Sequence, residues 1–213
     1  MEAVLTPAHS PASPLAAGDI SDASPRERLI EAATRLFCRY GINSVGIDAV
    51  IAAAGTAKTT LYKTFGSKDG LVEAVLEREG EAWRRWFLAA IDGDGGSASE
   101  RLARIGPALR HWFSGREFYG CPFINAVGES DKADDRMRSL ALAHKKIVLD
   151  RIAALCAEAG VAAPMETAHA IGLAMDGAIV AALVTRDAAV ADTAGRVCAA
   201  ILASARTDAG AKA

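Results

Sequence analysis

Residues 41–71 read GINSVGIDAVIAAAGTAKTTLYKTFGSKDGL, and the punctuation of this stretch decides the fold. Ile47 to Ala54 and Ala57 to about Phe65 are two short runs with helical spacing, separated by Gly55-Thr56. Helices this short are marginal in water, because the cost of nucleation is set against few hydrogen bonds. They must dock on a neighbour, and a Gly-containing turn between two such helices is the geometry of a helix-turn-helix.

The neighbour lies just upstream. Ser24-Pro25-Arg26-Glu27 supplies an N-cap serine, a proline at the first helical position and a glutamate at N3, which together satisfy orphan amides. Leu29, Ala33, Leu36, Phe37 and Tyr40 follow on one helical face, and Gly41 supplies the stop. Downstream, Ser67 caps a helix whose apolar stripe runs from Leu71 through Trp83, Trp86 and Phe87 to Ala90 and ends at Asp92-Gly93-Asp94-Gly95-Gly96. At 1.5 Å per residue it would extend on the order of 35 Å, long enough to bridge two domains.

The remainder reads as helix: about 99–114 with a kink at Pro107, a short helix from Pro122, a long one from about Asp134 to Glu158, then 165–186 and 189–206. No stretch alternates as a strand would. The fold class is therefore all-α. Its expected division is a flexible tail over 1–23, a helix-turn-helix domain over 24–70, a larger helical domain over 71–206 and a second flexible tail over 207–213. The first tail is rich in Ala, Ser and Pro and has too little to bury.

Composition excludes several classes. Hydrophobic residues make up 51% of the 213 and charged residues 23%, which is ordinary for a globular chain. The four cysteines include no C-x-x-C pair, so a disulfide framework or zinc ribbon is not indicated and a cytoplasmic location is expected. Asp176 interrupts the most apolar stretch and no basic n-region opens the chain, so neither a membrane span nor a signal peptide is expected. His9, His111, His144 and His169 fall at no metal-ligand spacing, and no metal or cofactor is expected. Asp92 to Gly96 lacks the glutamate of a calcium loop and reads as a flexible connection.

Net charge is −2, but its distribution is uneven. Between Ser44 and Lys68 the lysines at 58, 63 and 68 face Asp48 alone, a local basic balance suited to phosphate. In the run Lys58 to Phe65, Leu61 and Phe65 turn inward, which leaves Lys58, Thr59, Thr60, Tyr62 and Lys63 outward as donors and acceptors. A solvated amphipathic helix has the same pattern. What surrounds it favours a groove-reading face.

The run Ile47-Asp48-Ala49-Val50-Ile51-Ala52-Ala53-Ala54-Gly55, followed by Thr59-Thr60-Leu61-Tyr62-Lys63-Thr64-Phe65-Gly66-Ser67-Lys68, resembles the TetR family of bacterial transcriptional regulators over about 25–76. Two positions depart from its pattern. Thr56-Ala57 replaces an apolar-Ser pair, and Gly46 stands where a capping hydroxyl is common. The resemblance implies that Lys58, Thr59 and Thr60 face bases or nearby phosphates, that Tyr62 and Lys63 contact the backbone and that Lys68 binds phosphate. It also implies a homodimer on double-stranded, palindromic operator DNA, with a small-molecule effector in the carboxy-terminal domain.

Gly120-Cys121-Pro122-Phe123-Ile124-Asn125 is similar to a GC-x-x-x-N segment found in part of that family. Aromatic residues could gather around it as core or as the wall of an apolar pocket. The expected contacts of a small apolar or aromatic effector are Trp83, Trp86, Phe87, Trp112, Phe113, Phe123, Asn125, Met175 and Asp176, with His111 and His144 as further polar candidates. Pro122 at a helix N1 position places Cys121 at the N-cap, where the helix dipole favours thiolate, so Cys121 is either a redox candidate or a small buried hydrophobe. Small residues concentrate on the last two helices, from Ala168 through Gly177 to Ala203, and suit close packing within the chain or across a two-fold interface.

The reading is a ligand-responsive DNA-binding repressor, not an enzyme. The alternatives are a DNA-binding dimer without an effector and a small-molecule-binding helical enzyme. For the latter no nucleophile or acid–base pair is evident.

Overall fold

The computed structural model describes residues 23–210 apart from 94, 132 and 134. Residues 1–22 of the expected amino-terminal tail, and 211–213 of the carboxy-terminal one, lie outside the described residues. Among those described there are ten α-helices and no strand.

Helix α1 (Pro25–Tyr40) opens with the predicted reciprocal cap: the Glu27 N–H donates to Ser24 Oγ at 3.3 Å and the Ser24 N–H donates to Glu27 Oε2 at 2.8 Å. Helices α2 (Ile47–Ala54) and α3 (Lys58–Phe65) fall where the sequence placed them. Between them Gly55 adopts φ +59° and ψ 42°, and its N–H and that of Thr56 close on the carbonyls of Ala52 and Ile51. That left-handed cap turns the chain sharply enough to lay α3 across α2. Arg28 of α1 donates to the Ala54 carbonyl at 3.2 Å, holding the end of α2 to the first helix.

Helix α4 (Lys68–Asp92), capped by Ser67, packs on α1 and α3 at its start and on α5 to α8 further along. It is the bridging helix expected from the sequence. Helices α5 (Ala98–Ala103) and α6 (Ile105–Phe113) were expected as one helix kinked at Pro107. The break lies at Arg104, because the proline ring displaces the carbonyl one turn before it and that strains the chain upstream. The described part of the loop before α5 is tied down rather than flexible: the Arg104 guanidinium donates to the carbonyls of Ile91, Asp92 and Gly95 at 3.1, 2.8 and 2.7 Å.

Helices α7 (Pro122–Glu129), α8 (Arg136–Glu158), α9 (Pro164–Thr185) and α10 (Val190–Gly210) complete the chain. The backbone of α10 remains helical through Gly210, whereas the sequence pattern ended it at 206 and gave 207 onward to a tail. Helices α8, α9 and α10 pack in sequence and α10 closes against α6. Phe87, Ile91, Ile105, Leu109, Ile152, Leu155 and Ile171 are fully buried among them.

Some of the small residues on α10 serve this internal packing. A Cβ added at Gly106 of α6 would lie 3.0 Å from Gly195 Cα of α10, so the two backbones touch through glycines. Gly106→Ala forces those helices apart against backbone atoms that cannot rotate away. It should cost about 1–3 kcal/mol and lower the melting temperature in a circular-dichroism melt.

Candidate nucleic-acid interface and ligand cavity

In α3, Leu61 is fully buried and Phe65 partly so, with Arg26 Cζ 5.7 Å from the Phe65 ring. At about 100° per residue this turns Lys58, Thr59, Tyr62 and Lys63 outward; all four are exposed, and Thr60 is half-buried at the edge of the face. Lys63 makes no ion pair with any described residue.

Two lysines expected to be free for phosphate have partners. Lys58 Nζ donates to Asp48 Oδ1 at 3.0 Å between α3 and α2, and that hydrogen bond raises its pKa above the ordinary lysine value. Lys68 Nζ donates to the Ile42 carbonyl at 2.6 Å and lies 5.9 Å from the Phe37 ring. Lys68 is half-buried and holds the turn after α1 onto the start of α4. Helical spacing shows which way a lysine leaves its own helix. It does not show which carbonyl or carboxylate another element brings within reach.

A cavity of about 240 Å³ opens among α4, α6, α7, α8 and α9. Trp83, Trp112, Phe123, Met175 and Asp176 line it, as does His144. Four expected contacts are elsewhere. Phe87, fully buried, stacks on the far side of Trp83 at 4.7 Å and 11°, one turn along the same helix face. Trp86 leaves that face and lies against the exposed His111 at 5.8 Å. Phe113 packs on Phe118 at 4.9 Å in the core. Asn125 donates to the Tyr119 carbonyl at 2.9 Å, so it fastens the loop before α7.

The sequence reading missed Glu79 and Gly80 of α4, the α8 row Lys145, Val148, Leu149 and Ile152, and Gly172, Leu173 and Ile179 of α9. A signal existed for α8, since 144, 145, 148, 149 and 152 form one helical face. Nothing in that spacing identifies the face it meets. Burial raises the Glu79 carboxyl above the ordinary carboxylate range, opposed by Arg78 beside it.

Cys121 does cap α7 at its N-terminus and lines the cavity, but it is 7% exposed and burial pushes its thiol pKa up, against the lowering effect of the Ile124 and Phe123 amides. Of the two readings, these surroundings suit the small buried hydrophobe: desolvation outweighs the helix terminus.

Helix α7 also reaches the helix-turn-helix unit. Glu129 at its last position accepts the Asn43 N–H at 2.9 Å, and the Glu129 carbonyl accepts the Asn43 side-chain amide at 2.7 Å. Gly41, at φ +86°, makes room for this contact, since a Cβ there would lie 3.2 Å from the Glu129 carboxylate. Neither partner of this clasp was indicated by the sequence.

The profile of the bacterial regulatory proteins of the tetR family matches residues 29–75. An uncharacterised HTH-type transcriptional regulator of Mycobacterium tuberculosis is 30% identical over 130 residues, 49% of this chain and 64% of that protein. The HTH-type transcriptional repressor ComR of Escherichia coli is 28% identical over 101 residues, 47% of this chain and 48% of that protein. The chain thus spans about half to two thirds of the length of these curated relatives. A crystal structure of a TetR-family transcriptional regulator from Streptomyces coelicolor superposes with a TM-score of 0.78 at 30% identity, covering 85% of this chain and 96% of that one. A second, from Streptomyces avermitilis, gives 0.75 at 29% identity with 85% and 98% covered. Fold, helix-turn-helix and likeness over nearly the whole of a solved relative agree: the chain belongs to the TetR family of bacterial regulatory proteins.

Proposed function

We propose that this protein is a cytoplasmic, ligand-responsive transcriptional repressor that binds a palindromic operator as a homodimer. Residues 24–70 are its DNA-binding domain and 71–206 its ligand-binding and dimerisation domain. Within the family, the Gly120-to-Asn125 segment supports placing it with the members that carry GC-x-x-x-N. The observation that carries the DNA reading is the geometry of α3, where the buried Leu61 turns Thr59, Tyr62 and Lys63 to one exposed face. Two such helices related by a two-fold axis can enter successive major grooves.

The Lys58–Asp48 pair makes a specific prediction about charge. Removing a phosphate-contacting lysine reduces the log–log salt slope of binding by about 1, so Lys63→Ala should do this on any duplex. Asp48→Asn frees Lys58 and removes a carboxylate from the same face, and should strengthen non-specific binding. Fluorescence anisotropy on a random duplex over a salt titration measures both, and an unchanged slope in Lys63→Ala refutes the placement of the face.

The dimer reading rests on α9. It is long and apolar enough by composition to cross a membrane, yet Thr167, Ile171, Met175, Ala178 and Ala182 face the interior of the protein. Its other side presents Leu173, Val180, Leu183 and Val184 to solvent, with Val197 exposed on α10. A second copy covering this surface with its own α9 and α10 is the cover that the family's pattern suggests. Gly177 lies in the same row, and a Cβ there meets nothing within 4 Å in this chain. Gly177→Leu should therefore leave the protomer folded while crowding the interface, at about 1–3 kcal/mol of association. Sedimentation should show dissociation at concentrations where the unsubstituted protein is dimeric.

The effector reading rests on the cavity and on its two links to the DNA-binding domain, α4 and the Asn43–Glu129 clasp. The alternative, a dimer without an effector, leaves an aromatic cavity unused. Glu129→Ala should release the turn over residues 41–46 and raise amide hydrogen exchange there without lowering protection in α8. Unchanged exchange in that turn would show that the clasp does not hold it.

A further inference from the structure

The charged groups in the cavity wall are already paired. Lys145 Nζ donates to both carboxylate oxygens of Asp176 at 2.5 Å, and Glu79 pairs with Arg78 at 3.3 Å. His169, at the rim, is exposed to solvent. A ligand bringing its own charge would have to break one of these pairs or draw on Arg84, which does not line the cavity and is engaged with His144.

What remains without a partner in the wall is donors. Arg84 Nη1 lies 2.8 Å from His144 Nδ1, and a guanidinium can only donate. Nδ1 is therefore the acceptor, and a neutral imidazole then carries its proton on Nε2. Burial, with the nearby Arg84 and Lys145 charges, pushes the His144 pKa down to about 3, so the ring is neutral at physiological pH. No described residue accepts from Nε2. The Trp83 indole N–H, with its ring 5.6 Å from that of His144, has no acceptor among the described residues either.

The imidazole is also held in place. It stacks on Phe123 at 4.1 Å and 20°, while Arg84 fixes its other edge. Gly80 makes both approaches possible: a Cβ there would lie 2.7 Å from Phe123 Cζ and 2.9 Å from Arg84 Nη1. A donor on a buried ring, fixed in one tautomer and without an acceptor among the described residues, discriminates in favour of a guest that satisfies it.

We infer that the cavity takes an uncharged aromatic molecule bearing a carbonyl oxygen, which accepts the Nε2–H of His144. The inference rests on the reading of the cavity as the effector site and adds the chemistry that the site selects. A carbonyl is favoured over a hydroxyl because it only accepts, whereas a hydroxyl that accepts from His144 must also find an acceptor for its own proton, and the two carboxylates in the wall, Glu79 and Asp176, already accept from Arg78 and Lys145.

Four compounds of one skeleton test this: acetophenone, 1-phenylethanol, ethylbenzene and benzoate. Each is titrated into the full chain by calorimetry and by thermal shift. Acetophenone should bind about tenfold tighter than ethylbenzene, a difference of about 1.4 kcal/mol, and tighter than the alcohol and the carboxylate. In His144→Phe, which keeps an aromatic ring beside Phe123, the preference for acetophenone over ethylbenzene should be lost. Equal binding of ketone and hydrocarbon by the unsubstituted protein overturns the inference and leaves the cavity as a ligand site, as does a preference for benzoate or for the alcohol. If none of the four binds, the inference fails, while the effector reading fails only if a broad compound screen by thermal shift also yields no ligand. The comparison among ligands on the unsubstituted protein stands even if the variant does not fold.

Discussion

The burial of one leucine orients the face on which the DNA reading depends. Helix α3 has eight residues and only Leu61 among them is fully buried. Burying such a side chain stabilises by about 1.5–3 kcal/mol, more than so short a helix gains from its own hydrogen bonds. Since a helix advances about 100° per residue, turning Leu61 and Phe65 inward leaves Thr59, Tyr62 and Lys63 no option but the outside. The proposed reading face is thus a consequence of packing against α1 and α4, and Gly55 contributes by allowing the chain to turn tightly enough for that packing to occur.

How much of this was legible from sequence follows from the range of the interactions. The Ser24–Glu27 cap, the turn at Gly55, the Ser67 cap and the proline start of α7 all close within a few residues, and all were read directly. The helix-turn-helix assignment adds only one further step, that two short helices must have a neighbour. The break at Arg104 rather than Pro107 shows the limit even here, because a proline disturbs the turn before it more than its own position.

The cavity was less legible because helical spacing shows which side of a helix is apolar and not what that side meets. Trp83 and Phe87 share a stripe, yet Trp83 faces the space and Phe87 fills the volume behind it. The lysines show the same limit: the partners of Lys58 and Lys68, Asp48 and the Ile42 carbonyl, lie 10 and 26 residues away in sequence. Cys121 is the converse case: the helix terminus was correctly anticipated, and the desolvation that outweighs it depends on neighbours from other helices.

Two routes join the cavity to the DNA-binding domain, and they differ in kind. Helix α4 is continuous, so a shift at Trp83 can reach its first turn only by moving or bending the helix as a whole. Helix α7 is about 12 Å long at 1.5 Å per residue, with Pro122 and Phe123 in the cavity wall at one end and Glu129 on Asn43 at the other. A rigid element that short carries a displacement from end to end with little loss. The clasp is two exposed hydrogen bonds, each worth about 0.5–1.5 kcal/mol net, and allosteric coupling free energies are typically about 1–3 kcal/mol. A single clasp made in one arrangement and broken in the other is therefore large enough to carry the coupling. Because coupling is reciprocal, the same contact would let DNA at α3 weaken the guest beside Phe123 by the factor through which the guest weakens DNA.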